Sequence, residues 1–252
     1  ALVAKVVERK PVIPLHSAVR MTFGKELTLE GFSMSKGNSV KVSIPCEGGS
    51  QIIQVGAHKL YEIVNQLPND EIEFTTTEGF LHIGKGIKIN LFNGELPKQS
   101  SPPTEGVIFS RDAFQSLIKV GLCGISEEAY ITGGIINTVQ MIASGDSFEC
   151  YGSDSKKLSK STGACNGTGE IFLPVEMLQK VNGLLPNEFT LSQDKNSLYI
   201  HGENMCYVHR KMATTPTPIA PHWKALDLEV DTDIDRDALL GGQEFGLQYV
   251  RG

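Results

Sequence analysis

Residues 55–74 read VGAHKLYEIVNQLPNDEIEF, and residues 173–192 read LPVEMLQKVNGLLPNEFTLS. The two stretches align without a gap at an offset of 118 residues (173 − 55). A duplication of this length limits the fold more than any composition does, because two related stretches must find the same local structure. Each begins with the apolar end of a strand. Each continues as a helix with apolar residues at helical spacing: Leu60, Ile63, Val64 and Leu67 in the first, Leu178, Val181 and Leu185 in the second. Each helix is expected to run to a Leu-Pro-Asn turn, Leu67-Pro68-Asn69 or Leu185-Pro186-Asn187, where proline cannot continue it. Alternating segments follow. Glu71–Thr75, Leu81–Ile83 and Ile87–Phe92 read as strands in the first copy, and Glu188–Leu191, Leu198–Ile200 and Cys206–Val208 in the second.

The upstream halves correspond as well. Pro14–Thr22, Glu26–Ser33 and Ser39–Ile44 predict three strands, matched by Tyr130–Gln140, Ser147–Tyr151 and Leu158–Gly163. Val107–Gly121 predicts a strand and helix ahead of the second set, and Ala1–Lys10 predicts the remnant of such a helix ahead of the first. A period this long marks domains and not solenoid turns. Ala225–Val230 and Asp235–Val250 predict the strand and helix of a third unit that then stops. The Pro-rich stretches Pro97–Thr104 and Thr214–His222 read as the junctions. The expected organisation is α+β: one domain over 1–104 with its first helix truncated, a second over 105–223, and an incomplete third over 224–252. At 252 residues the chain is long enough for two ordinary domains and part of another.

Composition narrows the function. With 40% apolar and 21% charged residues the chain carries a real core. Its apolar stretches are too short for a membrane span, and no secretory segment opens it, so a cytoplasmic protein without membrane contact is expected. Cys46, Cys123, Cys150, Cys165 and Cys206 are scattered, with no CxxC pair, and read as small core side chains in a reducing compartment. No cofactor or structural metal is expected. The six histidines form no HExxH or HxxxH pattern, no G-x-S-x-G elbow occurs, and Gly84-Lys85-Gly86 lacks the spacing of a phosphate loop. Asp231–Asp235 lacks the glycine and closing glutamate of a calcium loop and reads as an acidic helix start. The remaining enzymatic reading is a nucleophilic Cys150 or Cys165 served by a folded-in histidine. The preferred expectation is a protein that is not an enzyme. Net charge is −6, distributed as +1 over 1–104, −3 over 105–223 and −4 over 224–252. That balance argues against a protein gripping DNA by phosphate neutralisation alone.

Glu8–Leu15 (ERKPVIPL), Phe109–Leu122 and Gly152–Leu158 (GSDSKKL), in that order and on top of the duplication, resemble segments of the bacterial DNA sliding clamp, the DNA polymerase III beta subunit family. The resemblance covers essentially the whole chain. It departs at Ser33, where the family has aspartate, at Lys156-Lys157 in place of His-Arg, and around Pro216, which lacks the usual nearby arginines. The resemblance implies tandem clamp domains with helices lining an inner face and antiparallel sheets outside. Two three-domain chains would pair head to tail as a ring-shaped homodimer that encircles double-stranded DNA and confers processivity on a replicative polymerase. Topology would then do what net charge cannot, and only the inner face need be mildly positive. By the same resemblance Lys10, Lys59, Lys119 and Lys180 are the candidate DNA-facing cations. Lys85 and Lys88 flank the edge strand that pairs with the partner subunit. Thr132, Ser153, Ser155, Lys157, Leu158 and Pro216 match the groove that takes a short peptide of the polymerase and clamp loader. The alternative is a repeat-built, non-enzymatic binding or assembly module, such as a phage-encoded one, that encloses no DNA. The discriminating expectation is that a clamp places the helices of both copies on one lysine-bearing side, whereas an enzyme shows a deep pocket with converging titratable groups.

Overall fold

In the computed structural model the described residues are 1–68, 71–115, 119, 125, 138–153, 158–211, 216 and 218–225. The first copy runs α1 (Leu2–Val6), a 3-10 turn (Pro14–Ser17), β1 (Ala18–Phe23), β2 (Glu26–Ser33), β3 (Asn38–Pro45), β4 (Gln51–Gly56), α2 (Ala57–Val64), β5 (Phe74–Thr77), β6 (Phe80–Ile83) and β7 (Ile87–Asn90). The second runs β8 (Val107–Ser110), helix α3 (described over 111–115), β9 (Thr138–Ser153), β10 (Leu158–Pro174), α4 (Val175–Val181), β11 (Glu188–Gln193), β12 (Ser197–Gly202) and β13 (Met205–Arg210). The described residues from Ala1 to Ile219 form one compact unit. A short helix α5 (Ala220–Lys224) belongs to a second. The strand and helix expected over Ala225–Val230 and Asp235–Val250 lie outside the described residues, Ala225 apart.

The duplication is visible in the strand registers. Ser33 opposite Asn38 closes the β2–β3 hairpin, and Ser153 opposite Leu158 closes β9–β10. Gly56 pairs with Ala18, and Pro174 with Thr138. The offset is therefore 120 before the β3–β4 connection (153 − 33) and 118 after it (174 − 56). The second copy is two residues shorter there. It replaces the Cys46–Ser50 loop by an irregularity between Ala164 and Gly167 within one long strand. β9 likewise covers what are β1 and β2 in the first copy. Its exposed stretch Ser144–Ser147, with Gly145 at φ 77°, falls where the first copy turns between β1 and β2.

The pairing across copies was not foreseen from the sequence. β3 lies antiparallel beside β13, with Val40 opposite Tyr207 and Val42 opposite Met205. The two copies thereby merge into one ten-stranded sheet, β4-β1-β2-β3-β13-β12-β11-β8-β10-β9. β5, β6 and β7 form a separate three-stranded sheet, linked to β4 by the bridge Val55–Leu91.

Alternation along the strands separates two faces. One carries Val19, Met21, Val40, Val55, Leu173, Leu191, Ile200 and Tyr207, all buried. The helices cover it. α1 packs on β2 and β3 and touches both α2 and α4, so it spans from the first copy to the second. Leu2 and Val6 of α1 share a core with Met177, Leu178, Val181 and Tyr207 of the second copy, while Val7 and Leu60 sit in the core of the first. Gly31 of β2 makes this approach possible: a Cβ there would stand 2.7 Å from Val7 and 2.8 Å from Val3. In the second copy Phe109, Phe114, Phe148 and Phe189 pack ring on ring, with centroids 5.0–5.9 Å apart. Such pairs add to plain area burial.

Both repeat helices end a turn earlier than expected. α2 stops at Val64 and α4 at Val181, before the Leu-Pro-Asn turns. In α4 the cause is local: Asn182 is extended at ψ 126° and Gly183 takes φ 75°. Proline excludes helix beyond it but does not require helix up to it. In the first copy β5 begins at Phe74, three residues after the expected start, and Pro14–Ser17 is a 3-10 turn ahead of β1 instead of its beginning.

Candidate nucleic-acid interface and the seam between copies

The four cations expected to face DNA are unequal. Lys59, on α2 between buried Ala57 and Leu60, is exposed. Lys119 is helical and exposed. Lys10 is exposed in the segment after α1, and this segment is held in place. The Glu8 carboxylate accepts hydrogen bonds from the Ser35 amide (2.8 Å) and the Ser33 hydroxyl (3.4 Å), tying it to the β2–β3 turn. These bonds, the Ser35 amide first, hold the Glu8 carboxyl below the usual range. The carbonyl of Val7 lies 3.0 Å from His58 Nε2 of α2.

Lys180 differs from expectation. Its ammonium lies 3.0 Å from Glu176 Oε1, one turn earlier on α4, and its side chain is only 17% exposed. The same oxygen accepts from Lys36 Nζ at 2.6 Å. Lys36 belongs to the β2–β3 turn of the first copy and Glu176 to the second, so the ion pair crosses the seam. Nearby, Asn38 Oδ1 accepts from the Arg210 amide at 3.1 Å. Beneath them on β13 His209 is buried, its Nδ1 3.1 Å from the Tyr207 hydroxyl. Burial depresses His209 to about 4. Glu176 opposes the shift, while Lys180 and Lys36 reinforce it. Burial pushes the Tyr207 phenol upward.

Two cations escaped the sequence reading: Lys5 in the last turn of α1, and Arg9 beside Lys10, both exposed. The signal was present for Lys5, since Leu2 and Val6 define the buried side of α1 and leave Lys5 opposite.

At the other end of the first copy Lys85 is exposed in the β6–β7 turn between Gly84 and Gly86, both at positive φ. Lys88 is exposed on β7, 5.8 Å from the Phe80 ring. Among the described residues β7 pairs with β6 alone. At the offset of 118, Lys88 corresponds to Cys206 of β13, the strand whose far edge pairs with β3.

Of the expected groove, Ser153 stands opposite Leu158 at the end of β9–β10. Pro216 is half-buried in the segment leading to Ile219, whose amide donates to Gln140 Oε1 at 2.6 Å. Thr132, Ser155 and Lys157 lie outside the described residues. The junction after the first copy is anchored at the corresponding position: Arg20, which matches Gln140, donates from Nη2 to the Leu96 carbonyl and pairs with Glu30 at 3.1 Å. The first junction then crosses the helix-free face of the second copy, where Gln99 Nε2 donates to the Cys206 carbonyl (3.0 Å) and the Tyr199 hydroxyl to Ser100 (3.2 Å).

The cysteine reading of catalysis finds no support in the geometry. Cys150 is buried and its thiol is pushed up to about 12 by desolvation. Cys206 is raised to about 11, and Cys165 is raised as well. A nucleophilic thiol needs the opposite shift. Among the described residues no cluster of three or more His, Cys, Asp or Glu is placed to hold a metal, and no helix is long and apolar enough to cross a membrane. A cleft of about 990 Å³ opens between α1, α2 and the turn after α4. Its walls are mainly apolar (Leu2, Leu60, Tyr61, Leu184, Phe189 and Met205), and Arg111, Glu188, His201 and Glu203, which also line it, form no hydrogen bond with one another.

An antiparallel sheet built from two copies of one α+β unit, with helices gathered on one face, defines a clamp-type fold. Residues 1–97 match the family model described as the DNA polymerase III beta subunit, N-terminal domain. The chain is similar to the DNA polymerase III subunit beta of Pseudomonas aeruginosa, at 17% identity and a TM-score of 0.73 over 88% of this chain and 63% of that one. It is similar to the beta subunit from DNA polymerase of Streptococcus pyogenes, at 17% identity and 0.74 over 87% and 63%. It also resembles a Helicobacter pylori beta clamp bound to a DNA ligase peptide, at 16% and 0.69 over 87% and 65%. The chain thus spans less than two thirds of the length of these proteins. No curated protein sequence matches it. The fold is that of the bacterial beta clamps, and the first copy matches the family's own N-terminal domain, in line with the resemblance read from ERKPVIPL, Phe109–Leu122 and GSDSKKL.

Proposed function

We propose that this chain is part of a DNA sliding clamp: a non-enzymatic ring that encircles duplex DNA and holds a replicative polymerase to it. The observation that carries this reading is the seam. β3 pairs with β13 edge to edge, and α1 bridges α2 and α4 on one face. A unit that joins its neighbour by sheet edge while keeping its helices on one side can repeat around a closed ring. The exposed cations Lys5, Arg9, Lys10, Lys59 and Lys119 supply the mild positive character that sliding requires. Residues 1–104 and 105–223 serve as two domains, with 224–252 opening a third.

The same seam suggests how rings close. β7 is the counterpart of β13, so its edge, with Lys85 and Lys88, is the surface for strand pairing with a partner subunit of a homodimer. Lysines on such an edge also discourage wrong pairing. The partner-peptide groove is assigned to the second copy. In the first copy Phe32 fills the space beside Ala18, Leu96, Leu15 and Phe92. Gly152 stands at the matching position of the second copy and brings no side chain of its own there; Ser153, next to it, lies opposite Leu158 across the hairpin. That favours an extended peptide of a polymerase or clamp loader inserting apolar side chains there.

The test is retention on nicked circular DNA by the full-length protein with a clamp loader, followed by linearisation. Release on linearisation is expected. Equal retention on circular and linear DNA refutes encirclement and favours a non-encircling assembly module.

A further inference from the structure

Three charged groups meet at the seam in a way the clamp reading does not require. Glu176 Oε1 accepts from Lys36 Nζ at 2.6 Å and from Lys180 Nζ at 3.0 Å. A carboxylate in the first turn of a helix is favourable, and so is a lysine four residues on. Neither preference calls for Lys36, which comes from the other copy. The arrangement is peculiar to the seam, because the residues matching Glu176 and Lys180 in the first copy are His58 and Glu62. One anionic oxygen shared by two ammonium groups is what a backbone phosphate oxygen presents to a pair of lysines. The site is accessible: the side chains of Lys36 and Glu176 are 52% and 37% exposed. It lies on the helix-bearing side, where His209 of β13 senses all three charges.

We propose that Lys36 and Lys180 form a two-lysine site for a nucleic-acid backbone phosphate at the seam, and that Glu176 is its built-in competitor. The carboxylate occupies the place of the phosphate while the seam is free of DNA. Duplex binding then exchanges one anion for another, and these two lysines add little net affinity. Such an arrangement suits a protein that must hold a rail without stopping on it. The proposal rests on the clamp reading for its biological meaning, but its chemistry does not depend on ring closure.

The experiment measures fluorescence anisotropy of a linear labelled duplex of about 20 base pairs, titrated with the chain between about 50 and 200 mM salt. Glu176→Gln frees both lysines while keeping the shape of the side chain. It is expected to bind more tightly at low salt and to steepen the dependence of log affinity on log salt by about two, which widens the affinity ratio between those two salt concentrations by about tenfold. Adding Lys36→Ala and Lys180→Ala to that variant is expected to return the slope to the wild-type value. Glu26→Gln makes the same charge change on the opposite face of the sheet and is expected to leave the slope unaltered. The proposal fails if Glu176→Gln titrates like wild type, or if Glu26→Gln reproduces its effect, since net charge then explains the gain. Circular dichroism of each variant identifies any that do not fold, and for a misfolded Glu176→Gln the Lys36→Ala, Lys180→Ala pair in the wild-type background decides. Masked lysines predict an unchanged slope there, and a slope shallower by about two overturns the proposal. Linear duplex reports nothing about encirclement, so a failed retention assay on circular DNA leaves this result standing, and the reverse also holds.

Discussion

His209 offers a direct test of how the seam is built. It is 7% exposed on β13, the strand that joins the copies, and burial lowers its pKa to about 4 from the ordinary histidine value of about 6.5. The groups facing it are Tyr207 on its own strand, Glu176 and Lys180 on α4, and Lys36 on the β2–β3 turn. A base whose pKa is lower in the folded state binds its proton more readily when unfolded. Stability is therefore full above the unfolded value and declines as pH falls from about 6.5 towards 4. A shift of 2.5 corresponds to about 3 kcal/mol in full, and about 2 kcal/mol of it is lost between pH 7 and pH 5. The depressed carboxyls of Glu8, Glu176 and Asp194 also give up stability in acid, but only as pH falls below the ordinary carboxylate range. His201, likewise lowered by burial, adds a smaller share in the same direction and window. Urea unfolding followed by tryptophan fluorescence and circular dichroism at pH 7, 6 and 5 measures the loss. In His209→Gln, which keeps a polar partner for the Tyr207 hydroxyl, most of the decline between pH 7 and 5 should vanish, with the His201 part remaining. An equally steep decline in the variant would show that His209 is not buried in neutral form at the seam.

Phe114→Ala removes a ring packed on Phe109 and Phe189 at 5.4 and 5.0 Å and should cost about 3–5 kcal/mol in chemical denaturation. Gly167→Ala places a Cβ 2.8 Å from the Gly106 carbonyl oxygen at φ 131° and should destabilise by about 1–3 kcal/mol, read as a lowered melting temperature. Lys59→Glu should weaken linear duplex binding and reduce the salt slope by about one, whereas Lys180→Ala, already paired to Glu176, should change it far less. Cys150, with its thiol near 12, should resist iodoacetamide at pH 8 in the native protein and react once denaturant is added, as followed by mass spectrometry.

Sequence alone determined the repeating unit. Helices of one apolar spacing, each followed by a Leu-Pro-Asn turn and alternating strands, imply two copies of one α+β domain, because periodicity and turn chemistry are local properties carried by neighbouring residues. It also located most of the β-strands to within a few residues, and Lys10, Lys59 and Lys119 as surface cations. Helix ends were misjudged because proline marks only where a helix cannot go, while Asn182 and Gly183 decide where α4 stops. Tertiary structure alone decided three things. Val40–Tyr207 and the pairs beside it are chosen by which sheet edges meet, and no pattern within either strand names its partner across the copies. Glu176 is shared between the copies only because Lys36, 140 positions earlier (176 − 36), reaches the oxygen that already pairs with Lys180. The junction after Leu96 lies over the outer face because Arg20 and Tyr199 hold its backbone and Ser100 there. Each of these depends on residues distant in the chain coming within a few ångströms, and such proximity is set by packing of the whole sheet and its helices.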